Sequence, residues 1–423
     1  METLALGLMI VLGLLLAGQF PIAFYYISVL RRRPPQLLEG AELPKAAVVL
    51  CLRGSDPFLE RSLAGLLNQD YGDYEVHVVV DHPEDPAVEV LNACLDRHRA
   101  DPGTREGQPE IHVEFLRNPS PHCSLKCSSL AQAIESLDDS IEIVAQLDAD
   151  TEPHASWLRE LATAFQDKQV AVATGNRWYL PDNPTMANLV RRAWNAAAII
   201  LMFLKQIPWG GSLAIRASVL RDSDLLDRWR HALCEDTMLL GHAKRLGMKV
   251  AFVPSLMMPN REDCEFRGYY RWVKRQLLVA RLYHSGWWLV LLHGFSTGLL
   301  WLASLAVAIV AWIAGEQRAA AIGLLTAIGY PSVLIGLQAI LAAAIHGVLR
   351  AKGEPIRRRS WRDCLMTPIA VFVTQFVYIG ALFQSCFLRE VEWRGIHYDI
   401  LAPFQIQMRE YHPYRGGNEG NSL

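Results

Sequence analysis

The 423-residue chain has almost no net charge: 41 lysines and arginines stand against 43 aspartates and glutamates. So even a balance gives no support to a nucleic-acid partner, which leaves a basic footprint. The chain also has no C-x-x-C pair among its eight cysteines, and "HCSLKC" (122–127) has a spacing unlike a zinc site. Cys51, Cys94, Cys123, Cys127, Cys234 and Cys264 fall in a region read below as cytoplasmic, where thiols stay reduced. They read as apolar fillers.

Charge is also missing locally. Four stretches lack it over membrane-spanning length: Leu4 to Leu30, Trp287 to Ala314, Ala319 to Leu349 and Leu365 to Leu388. A helix crosses a bilayer with about 20 apolar residues, and each stretch reaches that. The first lacks the basic start and small-residue cleavage site of a secretory signal, and "RRRPP" follows it, so it reads as an anchor. Basic residues collect at 31–33 and in "RAKGEPIRRRSWRD" (350–363), whereas "GEQR" (315–318) is neutral. The positive-inside rule then places the N-terminus outside and the region from about 40 to 285 in the cytoplasm. The fourth stretch contains Pro368, Gln375 and Gln384, so two placements stay open for the tail "EVEWRGIHYDI" (390–400). It lies outside if all four stretches span, and returns to the catalytic region if the fourth is re-entrant. The expected organisation is an anchor at 1–33, a catalytic domain at 40–285 with interfacial helices, membrane segments at 286–389 and a tail at 390–423. Short loops point to a bacterial inner membrane.

What is present between the apolar ends alternates in type. "KAAVVLCLRG" (45–54) is a continuous apolar run, as expected of a strand buried on both faces. "YEVHVVVD" (74–81), "IHVEFL" (111–116), "IEIVAQLDAD" (141–150) and "QVAVATGN" (169–176) read as further strands. Between them, "PFLERSLAGLLNQ", "LAQAIESL" and "HASWLRELATAF" carry apolar residues at helical spacing. This alternation implies an α/β fold, a mostly parallel sheet covered by helices, with ligands beyond the carboxyl ends of the strands. Asp81, Asp148 and Asp150 fall at those ends. Asp148 and Asp150 repel unless something positive lies between them, and a divalent cation is the usual answer. The alternative is that Asp150 and Thr151 cap the following helix.

In order along the chain, "LRGSDPFLERSL", "NQDYGDYEVHVVVDHPEDPA", "LKCSSLAQAI", "QLDAD", "WGGSLAIRASVL", "CEDTMLLGHAKRLGMKVAFVP" and "YRWVKRQ" resemble family 2 and family 21 inverting glycosyltransferases. The likeness is greatest to the ceramide glucosyltransferase branch and its bacterial relatives, and covers residues 45 to 280 plus the pattern of apolar segments. It implies a GT-A-type fold and a UDP-sugar donor. It assigns Asp148 and Asp150 to Mg²⁺ or Mn²⁺, Arg53, Asp81 and Lys126 to the nucleotide sugar, and Asp236 to the catalytic base. Each assignment has a structural rival: Asp81 as a turn former, Arg53 and Lys126 as solvated charges, Glu235 and Asp236 as acids favoured at a helix start. Glu235 is a candidate for orienting the acceptor. Gly210 and Gly211 permit close backbone approach at a sugar or acceptor pocket. Arg271 and Trp272 match the end of the family's Q/R-x-x-R-W pattern, whose first position is here Gly268. That departure weighs against a processive polymerase. Helices at 186–206 and 265–283 read as interfacial.

The expected function is transfer of a sugar, glucose, from a UDP-sugar to a lipid hydroxyl such as that of ceramide, with the bilayer as a further partner. The alternatives are a processive polysaccharide synthase and a non-catalytic nucleotide-sugar-binding membrane protein.

Overall fold

The computed structural model describes residues 1–100, 108–358 and 360–414. Helix α1 (Glu2–Leu30) is followed by β1 (Ala46–Leu52), α2 (Leu59–Leu67), β2 (Tyr74–Val80), α3 (Ala87–Ala100), β3 (Glu110–Phe115), α4 (Leu125–Glu135), β4 (Ile143–Leu147), α5 (Trp157–Thr163) and β5 (Val170–Tyr179). Next come α6 (Met186–Lys205), β6 (Ser212–Arg216), the short helices α7 (Ala217–Arg221), α8 (Leu225–Trp229) and α9 (Leu239–Arg245), then β7 (Lys249–Asn260) and α10 (Phe266–Tyr283). Three long helices, α11 (Trp287–Ile313), α12 (Gln317–Ala351) and α13 (Trp361–Phe387), lead to β8 (Glu390–Trp393), β9 (Ile396–Ala402) and β10 (Gln405–Met408).

The expected mostly parallel, helix-covered sheet is present, with seven strands in the order β3-β2-β1-β4-β6-β5-β7. β1, β2 and β4 are buried on both faces, which explains their unbroken apolar runs. β1 pairs with β2 on one side and β4 on the other, all parallel, so their carboxyl ends meet and the residues that follow become neighbours. Strand β6 is the exception, running antiparallel to both β4 and β5. Its start therefore lies beside the end of β4, with Ser212 opposite Leu147. That reversal brings Gly210 and Gly211 to the strand ends where Asp148 lies.

The tail is part of the core. β8, β9 and β10 form a three-stranded antiparallel sheet. Its inward residues Val391, Ile396, Tyr398, Ile400, Ile406 and Met408 join the same apolar cluster as Val49, Val144 and Leu130. The Met408 N–H donates to the Pro121 carbonyl at 2.7 Å, and the Leu125 N–H to the Tyr398 hydroxyl at 3.2 Å.

Four helices, α1, α11, α12 and α13, are long and apolar enough to cross a membrane. The Met1 ammonium meets Glu316, in the α11–α12 turn, at 3.2 Å, and Gln19 meets His293 at 3.3 Å. α1, α11 and α12 thus run side by side. At the other end, Lys352 pairs with Glu160 of α5, and Glu354 with Arg261 at 3.2 Å. α13 differs. The lead into it docks at Arg261, and its far end is held by Arg281 of α10, whose guanidinium donates to the carbonyls of Ser385 (2.5 Å) and Leu388 (2.6 Å). Between these points Ala370, Val377 and Leu382 pack with residues of α6 and α10.

Candidate active site

At the ends of β1, β2 and β4 one cavity of about 260 Å³ opens. Seven carboxylates and five cations line it. Arg53 follows β1 and Asp81 follows β2. Their side chains are paired, and both are buried, Asp81 to 3% exposure. Asp81 is not the turn former here. That part is taken by Asp85, which accepts the N–H groups of Ala87 (2.8 Å) and Gly54 (2.9 and 3.1 Å). One Asp81 oxygen, Oδ1, is buried without a partner among the described residues.

Ser124 caps α4 through the Cys127 N–H, and this sets Lys126 in the first turn. Its ammonium bridges Asp148 at 2.7 Å and Glu235 at 2.6 Å. Burial alone would lower the Lys126 pKa, but the two carboxylates outweigh it and hold it well above the ordinary value. Lys126 is therefore in the site, though its charge is spent on organising acids. Burial also opposes ionisation of Asp148, yet Lys126, with Arg177 and Arg394, holds its carboxyl below the usual range. Asp150 has no such partner. Burial, then Asp148, Glu262 and Asp56, push its carboxyl up to about 7. Among the described residues, its oxygens accept only from Asn260 Nδ2 (3.1 Å) and the Thr151 hydroxyl (3.3 Å). Asp150 is no helix cap, because α5 starts at Trp157 behind Ser156. The charge left over around Asp150 and the all-oxygen donor set suit a hard divalent cation.

A second possible metal cluster, Glu75, His77 and His112, lies at the opposite ends of β2 and β3. There Lys45 already neutralises Glu75 at 2.9 Å.

Glu235 and Asp236 precede α9, and neither side chain caps it. Glu235 is 1% exposed, fixed by Lys126, and its pKa is raised by burial and by Asp236 and Asp148. Asp236 is half-buried and faces the cavity. Its Oδ2 accepts the Gly210 N–H at 2.7 Å, and its Oδ1 accepts from Cys234 Sγ and the Thr237 hydroxyl, both at 2.8 Å. A Cβ on Gly210 would run into the Glu235 carboxylate, with Lys126 Nζ at 3.1 Å and Asp236 Oδ2 at 3.2 Å. Gly210→Ala is expected to cost about 1–3 kcal/mol by overpacking and most of any activity. Thermal melts and turnover check both. A Cβ on Gly211 would run into the Trp209 ring and come within 2.8 Å of Asp148 Oδ2.

On α10, Trp272, Arg275, Gln276 and Val279 line the cavity, one helical stripe at i, i+3, i+4, i+7. Trp272 stands edge-on to Trp194 at 5.2 Å, beneath the Arg177 guanidinium at 4.8 Å. Arg271 falls off this stripe. It is exposed, meets Glu392 at 3.5 Å and does not line the cavity. The cation that does is Arg275, whose Nη1 is buried without a partner among the described residues. Arg177, Arg275, Asp56, Glu262 and Arg394 are cavity residues that the sequence reading missed. A charge inside the strand "VAVATGNRWY" (170–179) could have flagged Arg177. The lining also includes apolar residues: Ala198, Leu201 and Met202 of α6, Leu277 and Ala280 of α10, and Val290 at the start of α11.

The chain belongs to glycosyl transferase family 21, whose model matches residues 14–403. No curated protein matches the chain. Among solved structures, a mannosyltransferase from Pyrobaculum calidifontis in complex with GDP-Man and Mn2+ is similar at 18% identity and a TM-score of 0.49, covering 83% of this chain and 99% of that one. Glucosyl-3-phosphoglycerate synthase from Mycobacterium tuberculosis, in complex with Mn2+, UDP and glucosyl-3-phosphoglycerate, is similar at 14% identity and a TM-score of 0.35, covering 57% and 82%. Likeness so distant bears on no single residue of the site.

Proposed function

We propose that this family 21 glycosyltransferase moves one sugar, glucose, from a UDP-sugar to the hydroxyl of a membrane lipid, with inversion. The observation that carries the reading is the single cavity with two characters. Its lining combines the acids and guanidiniums described above with apolar residues of α6, α10 and α11. A nucleotide sugar suits the first set and a lipid bearing a hydroxyl the second.

In this reading Asp81 Oδ1 accepts an N–H of the base, and Arg53 supports that carboxylate. Asp148 and Asp150 hold a divalent cation, Mg²⁺ or Mn²⁺, which supplies charge neutralisation for the diphosphate when bound. Asp236 takes the acceptor hydroxyl's proton. The acceptor oxygen then bonds to the sugar's anomeric carbon as the bond from that carbon to the diphosphate breaks, and the diphosphate leaves with the electron pair. Glu235, locked by Lys126 under Gly210, holds the loop that presents Asp236. Trp272, with the Arg177 guanidinium over its ring, holds that cation at the cavity. The test is product analysis from enzyme in nanodiscs supplied with UDP-glucose. One glycolipid carrying a single hexose is the expected product. A water-soluble polymer made without lipid acceptor overturns it in favour of a synthase.

The same proposal includes topology. α1, α11 and α12 span, the sheet region is cytoplasmic, and α13 returns to the same face because both its ends are tied to that region. Leu401→Cys in the tail and Arg318→Cys at the α11–α12 turn, in a background with Cys364 replaced, should label from opposite sides of sealed vesicles. Labelling of both from one side rules this topology out.

A further inference from the structure

The turn between β8 and β9 is two residues long, and Arg394 occupies its first position with φ +48°, ahead of Gly395 at +75°. Such turns favour Asn-Gly; a left-handed arginine is a poor local choice. Backbone strain of this kind persists where the side chain is held for another purpose. Here the side chain reaches into the cavity. Arg394 Nη2 donates to both Asp56 oxygens, at 2.8 and 3.0 Å, and Nη1 to the Arg53 carbonyl at 2.7 Å. These contacts use at most three of the five guanidinium donors. A quarter of its side-chain surface stays accessible, and it lines the cavity.

A second observation is independent of the turn. Trp393 lies under the Arg275 guanidinium at 4.5 Å, and Arg275 Nη1 is buried with no partner among the described residues. Burial, with repulsion from Arg394 and Arg177, lowers the Arg275 pKa to about 10. Guanidiniums that repel across a shared cavity, with donors to spare, are arranged for an anion. The tail contributes beyond the hairpin as well. The Tyr414 N–H donates to Asp81 Oδ2 at 3.2 Å, and the His412 carbonyl accepts from Arg53 at 3.2 Å.

We infer that the C-terminal hairpin is a wall of the donor site and that Arg394 binds the diphosphate of the nucleotide sugar, facing Arg275 across the cavity. The inference rests on the nucleotide-sugar reading and assigns the anion end of that site to a segment about 340 residues downstream of Arg53. The rival is that Arg394 only fastens the tail to Asp56.

UDP and uridine separate the two, because uridine has no phosphate. Their dissociation constants are measured on the full chain in detergent, with Mg²⁺, by calorimetry. Arg394→Lys keeps a positive charge opposite Asp56, and Arg394→Asn suits the turn. Both should weaken UDP on the order of 10–100-fold and leave uridine within about threefold. Thermal melts report folding. Equal weakening of UDP and uridine, or unchanged UDP affinity in both variants, overturns the inference while leaving the nucleotide-sugar reading standing. A wild-type chain that binds no UDP overturns that reading and this inference with it.

Discussion

Asp236→Asn is expected to lower turnover on the order of 10²–10⁴-fold with donor affinity nearly unchanged. The reason lies in what the substitution keeps. An asparagine has the shape of the aspartate, and its amide oxygen can still accept the Gly210 N–H. What is lost is the acceptor for the hydroxyl's proton. Glu235 cannot replace it, being 1% exposed and ion-paired to Lys126 at 2.6 Å. Single-turnover transfer and donor binding are to be measured separately. Collapse of donor affinity along with turnover would make Asp236 a structural element that holds the Trp209–Gly211 backbone. Glu235→Gln is the contrasting case. It leaves Lys126 with one carboxylate in place of two, so its first effect should be on folding of the site.

The sheet was legible because its central strands carry their own signal. β1, β2 and β4 are buried on both faces and read as continuous apolar runs without reference to anything distant. Two parts were not. β6 is only five residues long, and its antiparallel direction depends on which strands flank it, a fact of the assembled sheet. The tail shows the apolar alternation of Val391, Trp393, Ile396, Tyr398 and Ile400 and an Arg-Gly turn. Its partners, however, are the loops at Arg53 and Leu125, and no local pattern announces a strand pair that caps a site so far upstream.

The site was legible to a similar depth. The carboxylates at strand ends stand out, since a strand end and an acid are both visible in sequence. Of the cations, Arg53 and Lys126 could be named from the sequence, whereas Arg177, Arg275 and Arg394 could not, because they come from β5, α10 and the tail. Motif matching favoured Arg271 over Arg275. The two lie one turn apart, and only the cavity-facing stripe of α10 tells them apart.

Asp150→Asn is the substitution for which activity and stability should move in opposite directions. Transfer should fall on the order of 10³-fold, the scale of charge stabilisation a bound cation gives, and donor binding should stop responding to Mg²⁺ or Mn²⁺. The fold should not suffer. Asp150 lies buried beside Asp148, Glu262 and Asp56, and its only hydrogen-bond donors among the described residues are an asparagine amide and a neighbouring hydroxyl. Without a cation, that carboxylate is a source of repulsion, and its removal relieves the other three. The melting temperature in metal-free buffer should therefore equal or exceed the wild-type value. Added metal should raise the wild-type melting temperature and leave the variant's unchanged, since only a site that binds the ion gains stability from it. Asp148→Asn behaves differently because it strips Lys126 of a 2.7 Å partner and so should lower the melting temperature as well as transfer. Wild-type transfer that proceeds unchanged in EDTA would remove the metal from the site altogether. Asp148 would then be left as a counter-ion to Lys126, and Asp150 as a carboxyl that burial and its acidic neighbours push up to about 7.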